Sequence, residues 1–232
     1  MRTTPIVALD VPSADAAMRV VESLGDRCGF YKIGSELFTA AGPGVVTRVR
    51  DAGCDVFLDL KLFDIPSTVR GAARSAAGLG VRLLTVHASG GLAMVEAAVE
   101  GGGDATAILA VTVLTSFDDA SLREATGRPR VNASEEVSRL ADLAARARAH
   151  GVVCAGAEAP AVRVQFGDAL AILVPGIRMA GGAAHDQRRV VTPAEASAAG
   201  ARYIVVGRAV TAAGDPRAVM DAVLSDLASV PV

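Results

Sequence analysis

The sequence is poor in aromatic residues and lacks tryptophan: aromatic side chains make up 3% of its 232 residues, and hydrophobic residues 51%. We therefore expect a large core built from Ala, Val, Leu and Ile. Cysteine is also scarce. Cys28, Cys54 and Cys154 are an odd number without CxxC spacing, which argues against a disulfide framework or a zinc site and favours a reducing compartment.

The sequence also lacks basic runs and long apolar runs, and we expect no secretory leader. The formal net charge is −2, and without a basic run we expect no nucleic-acid binding. A strand-like stretch, Pro5 to Asp10, begins almost at once, without the charged and apolar regions of a leader. No apolar run has membrane-spanning length. We therefore expect a soluble, cytoplasmic protein without membrane contacts.

Short apolar runs alternate with Ala-rich helical patterns along the chain. The predicted strands are Ile6–Leu9, Phe30–Ile33, Val56–Leu60, Leu83–His87, Ala107–Val111, Val152–Cys154, Ala171–Val174 and Tyr203–Val206. The predicted helices are Ala14–Leu24, Gly44–Ala52, Ser67–Leu79, Leu92–Val99, Glu135–His150, Pro160–Phe166, Pro193–Ala199 and Pro216–Ala228. Such repeats predict a parallel sheet with helical crossovers. The length favours an α/β fold of the (β/α)8 TIM-barrel type over an open doubly wound sheet, with residues 1–232 in one domain.

Local signals mark some boundaries and two irregular stretches. Ser13 is a predicted N-cap, and Thr192-Pro193 has the form of an N-cap followed by the first helical residue. The stretch from Thr115 to Arg130 is longer than the other connections, so we expect an insertion after strand five. The stretch from Gly176 to Arg189 is rich in Gly and Ala and is expected to be mobile.

The C-terminal ends of the strands, where barrels of this type build their active sites, carry charged residues. Asp10 ends strand one, Lys32 lies in strand two, and Asp59 and Lys61 end strand three, with Asp64 in the following turn. Residues two apart on a strand point the same way, so Asp59 and Lys61 should share a face. Ion pairs at strand ends are often purely structural, but three acids and two lysines at one rim favour a catalytic array.

The loops after strands seven and eight often form a phosphate site in such barrels. Here they carry Arg178 and the pair Gly207-Arg208. Glycine lets the backbone approach a phosphate closely, N–H groups at a helix start favour anions, and Arg donates bidentate hydrogen bonds. Gln187 could add an amide N–H. The alternative is that these arginines are only solvated, but their position favours a phosphate site.

The segment from Asp59 to Pro66, DLKLFDIP, resembles the DxKxxDIP signature of the orotidine 5'-monophosphate decarboxylase family. Phe63 departs from many bacterial members, which have His before the second Asp. Other blocks resemble the family in its own order and extend the resemblance from Asp10 to Arg208. These blocks are ALD (8–10), YKIG (31–34), VHASGG (86–91), VTVLTS (111–116), PGIR (175–178), DQRR (186–189) and VGR (206–208).

The resemblance implies a carboxy-lyase without cofactor or metal, which converts orotidine 5'-monophosphate into uridine 5'-monophosphate and CO2. This is the last step of de novo pyrimidine (UMP) synthesis. By resemblance, Lys61 stabilises the negative charge at C6 of the pyrimidine and protonates it, while Asp59 and Asp64 hold this lysine cationic. The family also implies a homodimer with shared active sites, in which Asp64 and Thr68 reach into the partner's site.

The resemblance further implies how the rest of the substrate is bound. Lys32, counted among the catalytic residues, would bridge Asp59 and a ribose hydroxyl. Asp10 would accept hydrogen bonds from ribose hydroxyls, and Thr115 would lie near the base. The residues implied to hold the 5'-phosphate are Arg178, Gln187, Gly207 and Arg208.

Two alternatives remain open. Related sugar-phosphate enzymes, 3-keto-L-gulonate 6-phosphate decarboxylase and hexulose phosphate synthase, share DxKxxD but use Mg²⁺ to stabilise an enediolate. They are expected to carry an acidic metal ligand near the end of strand two, where this chain has Lys32, and a lysine repels the metal. The other alternative is a non-enzymatic barrel that binds a phosphate ligand. A binding protein would not need a charge array that opposes an anionic substrate.

Overall fold

The structure, a computed structural model, describes residues 3–179 and 191–230. Within these residues eight parallel strands pair in chain order, and the last strand pairs with the first. The predicted (β/α)8 barrel is therefore confirmed. The strands are β1 (Thr4–Ala8), β2 (Phe30–Gly34), β3 (Asp55–Leu62), β4 (Leu83–His87), β5 (Ala107–Val111), β6 (Gly151–Val153), β7 (Ala171–Val174) and β8 (Tyr203–Val206).

Helices connect successive strands and cover the outside of the barrel. They are α1 (Ala14–Leu24), α2 (Ser35–Ala41), α3 (Gly44–Asp51), α4 (Pro66–Gly78), α5 (Leu92–Gly102), α6 (Asp119–Thr126), α7 (Ala133–Arg146), α8 (Ala159–Phe166), α9 (Pro193–Ala198), α10 (Arg208–Thr211) and α11 (Pro216–Ala228). Short 3-10 turns lie at Gly25–Arg27, Ala88–Gly90 and Gly167–Ala169. None of the helices in residues 3–179 and 191–230 has the length and apolar character needed to cross a membrane.

The predicted helix starts are confirmed where a cap was identified. The Ser13 side chain accepts from the Ala16 N–H, and the Thr192 side chain accepts from the Glu195 N–H in a reciprocal capping box. Proline occupies the first position of α9, as expected, because its missing N–H would have no helical partner there.

Three helices were not predicted, namely α2, α6 and α10, which lie in the connections that follow β2, β5 and β8. Helix α6 lies inside the predicted insertion and begins with a capping box between Asp118 and Ser121. The predicted end of α7 at His150 is wrong. The helix stops at Arg146, and Arg148 has a φ of 57°, which a right-handed helix does not accommodate. Most of the stretch expected to be mobile lies outside the described residues.

The core has two layers separated by the barrel wall. The larger layer lies between strands and helices and is mostly aliphatic, as expected. The smaller layer fills the barrel interior. It is not purely aliphatic, as was expected of the core, because it also contains Phe30, Phe57 and Tyr203. The rings of Phe30 and Tyr203 meet edge to face, 6.3 Å apart. These large side chains fill the barrel interior below its C-terminal end. The barrel is therefore closed there, and its C-terminal end forms a cleft and not a pore.

Candidate active site

The interior face of the barrel changes from apolar to charged toward the C-terminal ends of its first strands. On β2, Lys32 follows Phe30 by two residues, and on β3, Asp59 follows Phe57 in the same way. Lys32 pairs in register with Phe57, one step below Asp59. Asp10 stands just beyond β1. Strand alternation thus directs these charged side chains to the inside of one rim.

The rim charges form a continuous chain of ion pairs. The Lys32 Nζ lies 2.7 Å from Asp10 Oδ1 and 3.8 Å from Asp59 Oδ2. The Lys61 Nζ lies 2.7 Å from the same Asp59 oxygen. Lys32 and Asp59 are buried, whereas the Lys61 side chain keeps 35% of its exposure and Asp10 49%. Two carboxylates and two ammonium groups therefore balance in charge, and the cation of Lys61 is the more accessible one.

Lysine occurs in this chain only at these two positions, 32 and 61, although the sequence has 23 basic residues of the Lys and Arg types. Every other one is arginine. An arginine stays protonated in proteins, whereas a lysine can give up a proton when its surroundings favour the neutral form. Both lysines of the chain therefore lie in the ion-pair chain at the rim.

Thr85 completes the array and was missed from the sequence. Its side chain is fully buried, and its Oγ1 donates a hydrogen bond to Asp59 Oδ1 over 2.8 Å. The same oxygen accepts the backbone N–H of Lys61 over 3.0 Å. The available signal was strand alternation, which puts Thr85 on the interior face with Leu83 and leaves a buried hydroxyl in need of partners.

A cavity of about 270 Å³ opens above these groups at the C-terminal end of the barrel. Apolar side chains such as Val153 and Leu173 form part of its wall. The predicted site residues that line it are Asp10, Lys32, Asp59, Lys61, Thr115, Arg178, Gly207 and Arg208. Four cationic and two anionic side chains give this lining a formal charge of +2. The cavity therefore suits an anionic ligand with an apolar part.

Arg178 and Gly207-Arg208 lie on the side of the cavity formed by β7 and β8. Arg178 is only 9% exposed, and its Nη1 donates to the carbonyl of Ile177 over 2.8 Å. Its backbone N–H donates to the carbonyl of Val191, where the chain forms an isolated bridge with Ile177. At Gly207 the nearest atom to an added Cβ is 3.8 Å away, so the backbone there is open to the cavity.

Two predicted site residues in the described part of the chain, Asp64 and Thr68, do not line this cavity. Both are exposed, Asp64 in the turn after β3 and Thr68 in the first turn of α4, and the Asp64 Oδ1 accepts the Ile65 N–H over 2.6 Å. Two large apolar side chains flank Asp64, with Phe63 62% and Ile65 64% exposed. Gln187 lies outside the described residues.

His87 ends β4 beside the array. Its ring meets that of Phe63 at 6.1 Å in an edge-to-face arrangement. Burial lowers the pKa of the His87 imidazole, the Lys61 ammonium lowers it further, and the Asp59 carboxylate opposes this shift. Because the pKa is lowered, His87 is expected to be neutral at neutral pH and to add no charge to the rim.

The chain matches a family model described as Orotidine 5'-phosphate decarboxylase / HUMPS family over residues 3–223. It is similar to an orotidine 5'-phosphate decarboxylase of Halorhodospira halophila, with 49% identity over 229 residues, which cover 97% of this chain and 95% of the relative. A protein of the same name from Cutibacterium acnes is 48% identical over 229 residues, with coverages of 97% and 96%.

Among solved structures, the fold is similar to that of orotidine 5'-phosphate decarboxylase from Lactobacillus acidophilus. The TM-score is 0.86 at 36% identity, and the match covers 98% of this chain and 99% of the other. The enzyme of the same name from Pyrococcus horikoshii gives a TM-score of 0.80 at 26% identity, with coverages of 98% and 100%.

Proposed function

The chain belongs to the orotidine 5'-phosphate decarboxylase / HUMPS family, and from this we propose that it converts orotidine 5'-monophosphate into uridine 5'-monophosphate and CO2. The relatives named above, which match almost the whole chain at close to half identity, support this substrate. The single observation that carries the proposal is the position of Lys61, whose ammonium contacts Asp59 and lines the cationic cavity.

The reaction breaks the bond between C6 of the pyrimidine and its carboxylate carbon. The electron pair stays on C6, where no neighbouring group can take it up. In our proposal the Lys61 ammonium stabilises this charge and then gives its proton to C6. At an effective dielectric near 20, one unit charge 4 Å from another contributes roughly 4 kcal/mol, which corresponds to about a thousandfold in rate.

The ion-pair chain supports stabilisation by a preorganised site. Asp59 has three partners within the protein, namely Lys61, Lys32 and Thr85. Such a site needs little rearrangement when charge develops. In the same geometry, repulsion between Asp59 and the substrate carboxylate would raise the energy of the bound substrate and so lower the barrier, a contribution whose general importance is contested.

The remaining roles follow from position around the cavity. Asp10 and Lys32 lie side by side at the rim, where they would take the ribose hydroxyls, and Thr115 would lie near the base. Arg178 and Arg208 supply the cationic surplus on the β7–β8 side, where the 5'-phosphate would bind together with the Gly207 backbone. Gln187 keeps its proposed contact with the phosphate.

We also propose a homodimer in which Asp64 and Thr68 act in the partner's site. Both are exposed here, next to the apolar side chains of Phe63 and Ile65, and exposed apolar side chains of this size are typical of interface cores. A cytoplasmic location is part of the same proposal, since the three cysteines are free and such thiols persist in reducing compartments.

The direct test is to add orotidine 5'-monophosphate to the purified protein and to follow the loss of its ultraviolet absorbance. Chromatography should identify uridine 5'-monophosphate as the product, with one CO2 released for each nucleotide. A preparation from the host carrying an empty vector controls for the host enzyme. Absence of turnover, together with Mg²⁺-dependent decarboxylation of 3-keto-L-gulonate 6-phosphate, would move the chain to the other branch of the family.

A further inference from the structure

Strands β3 and β4 lose their regular register next to the catalytic residues. Leu58 pairs with Leu84 and Leu62 with Val86, so the three β3 residues 59–61 face the single β4 residue Thr85. Lys61 has a φ of 50°, a left-handed conformation that is uncommon for a residue other than glycine. The regular ladder therefore cannot supply a partner for every backbone group of this segment.

The Thr85 hydroxyl forms hydrogen bonds in the segment where the strand pairing is irregular. It accepts the Lys61 backbone N–H and donates its own proton to Asp59 Oδ1, over 3.0 and 2.8 Å. A hydroxyl has one proton to donate and lone pairs to accept with, so a small side chain can satisfy both groups at once. Valine has the same shape but can do neither.

We infer that Thr85 is a positioning residue for the decarboxylation proposed above. It holds the Asp59 carboxylate and the backbone of Lys61 at a fixed distance from each other, and this directs the ammonium of Lys61 toward the cavity. The inference rests on the proposed function. Thr85 is fully buried below the rim and is absent from the cavity lining, so its effect on substrate passes through the two residues it holds.

The matched test variants are Thr85→Val, which removes the hydroxyl at constant shape, and Thr85→Ser, which keeps it. Thr106 provides the control, because it is 1% exposed and its hydroxyl donates to the carbonyl of Val81 over 2.6 Å. It stands just before β5, at the opposite end of the barrel. Thr106→Val therefore removes a comparable buried hydrogen bond without touching the array.

We expect Thr85→Val to lower kcat for orotidine 5'-monophosphate by about 10- to 100-fold, since hydrogen bonds to charged groups are the strong ones. KM should change by less than about threefold, because binding through the phosphate side is retained. Thr85→Ser should recover kcat to within about threefold of wild type by keeping both hydrogen bonds. Thr106→Val should lower thermal stability and leave kcat unchanged.

Amide hydrogen exchange, measured by NMR, reports on the geometry without any turnover. The Lys61 amide should exchange faster in Thr85→Val than in wild type and Thr85→Ser. If Thr85→Val does not fold, Thr85→Ala is measured in its place. A wild-type kcat in either variant, equal losses in Thr85→Val and Thr106→Val, or no recovery in Thr85→Ser would overturn the inference.

The two proposals fail in different ways. A wild-type protein that does not consume orotidine 5'-monophosphate overturns the proposed function, whereas the exchange of the Lys61 amide still tests whether Thr85 holds this backbone. Normal turnover by the wild type combined with unchanged Lys61 exchange in Thr85→Val would overturn the positioning role alone.

Discussion

Gly34 closes β2 directly beside the ion-pair chain, and we predict that Gly34→Ala disturbs the site without disturbing the fold. A Cβ at this position would lie 2.9 Å from Lys32 Nζ and 3.3 Å from Asp10 Oδ1. The backbone itself tolerates alanine, because Gly34 is extended, with φ −92° and ψ −179°. The effect of the change is therefore the contact with Lys32 and Asp10.

The size of the effect follows from the distance that must be recovered. An unstrained contact needs about 3.5 Å, so Lys32 Nζ or its surroundings must shift by about 0.6 Å. A misplacement of about 1 Å can cost about 100-fold in rate, so we expect a loss of roughly tenfold in kcat/KM. A lysine end on the surface would move away freely, but the Lys32 side chain is 11% exposed and held between Asp10 and Asp59.

Gly29→Ala is the matched control for the same strand. Gly29 lies just before β2, is exposed, and a Cβ added there would have no heavy atom within 4 Å. Steady-state kinetics with orotidine 5'-monophosphate and thermal unfolding should be compared for the two variants. A folded Gly34→Ala protein with wild-type kcat/KM, or equal losses in both variants, would refute the view that the Lys32 side chain is held in a fixed position between Asp10 and Asp59.

Three further predictions concern metal, phosphate and subunit sharing. Activity should survive exhaustive chelation, because Lys61 supplies the positive charge; loss with EDTA that Mg²⁺ restores would contradict this. Arg208→Ala should impair the full nucleotide far more than phosphate-free orotidine, since remote binding energy assists turnover; equal losses would remove Arg208 from the phosphate site. Lys61→Ala and Asp64→Ala should each be inactive. When the two proteins are dissociated and reassociated together, about half of the randomly formed dimers are mixed, and each mixed dimer holds one intact site of its two. The mixture should therefore regain about one quarter of wild-type activity. Proven mixed dimers without activity would place Asp64 in its own subunit's site.

Most of the barrel could be predicted from hydrophobic periodicity, because its strands are short apolar runs with clear boundaries. The period of two on β3 also predicted that Asp59 and Lys61 share a face, and their side chains do meet at 2.7 Å. The position of Lys32 between two carboxylates depends on the pairing of β1, β2 and β3, so it could not be derived from one strand alone.

The local irregularity at the site was beyond the reach of the pattern. Strand alternation assumes regular pairing, whereas Lys61 adopts a left-handed conformation where β3 and β4 lose register. The residue whose hydroxyl accepts the Lys61 N–H, Thr85, lies 24 positions further along the chain. A buried threonine in an apolar strand is ordinary in sequence, and only the fold shows which groups its hydroxyl serves.

The proposed role of Lys61 is tested by the rate of CO2 release by Lys61→Ala, measured together with the affinity of the same sample for uridine 5'-monophosphate. Loss of both the stabilising cation and the proton donor should lower turnover by about 10⁴-fold or more. Nucleotide binding and thermal unfolding should remain close to wild type, since the phosphate side and the packed layers are untouched. Turnover within about tenfold of wild type in a folded Lys61→Ala protein would mean that Lys61 neither stabilises the charge at C6 nor donates the proton.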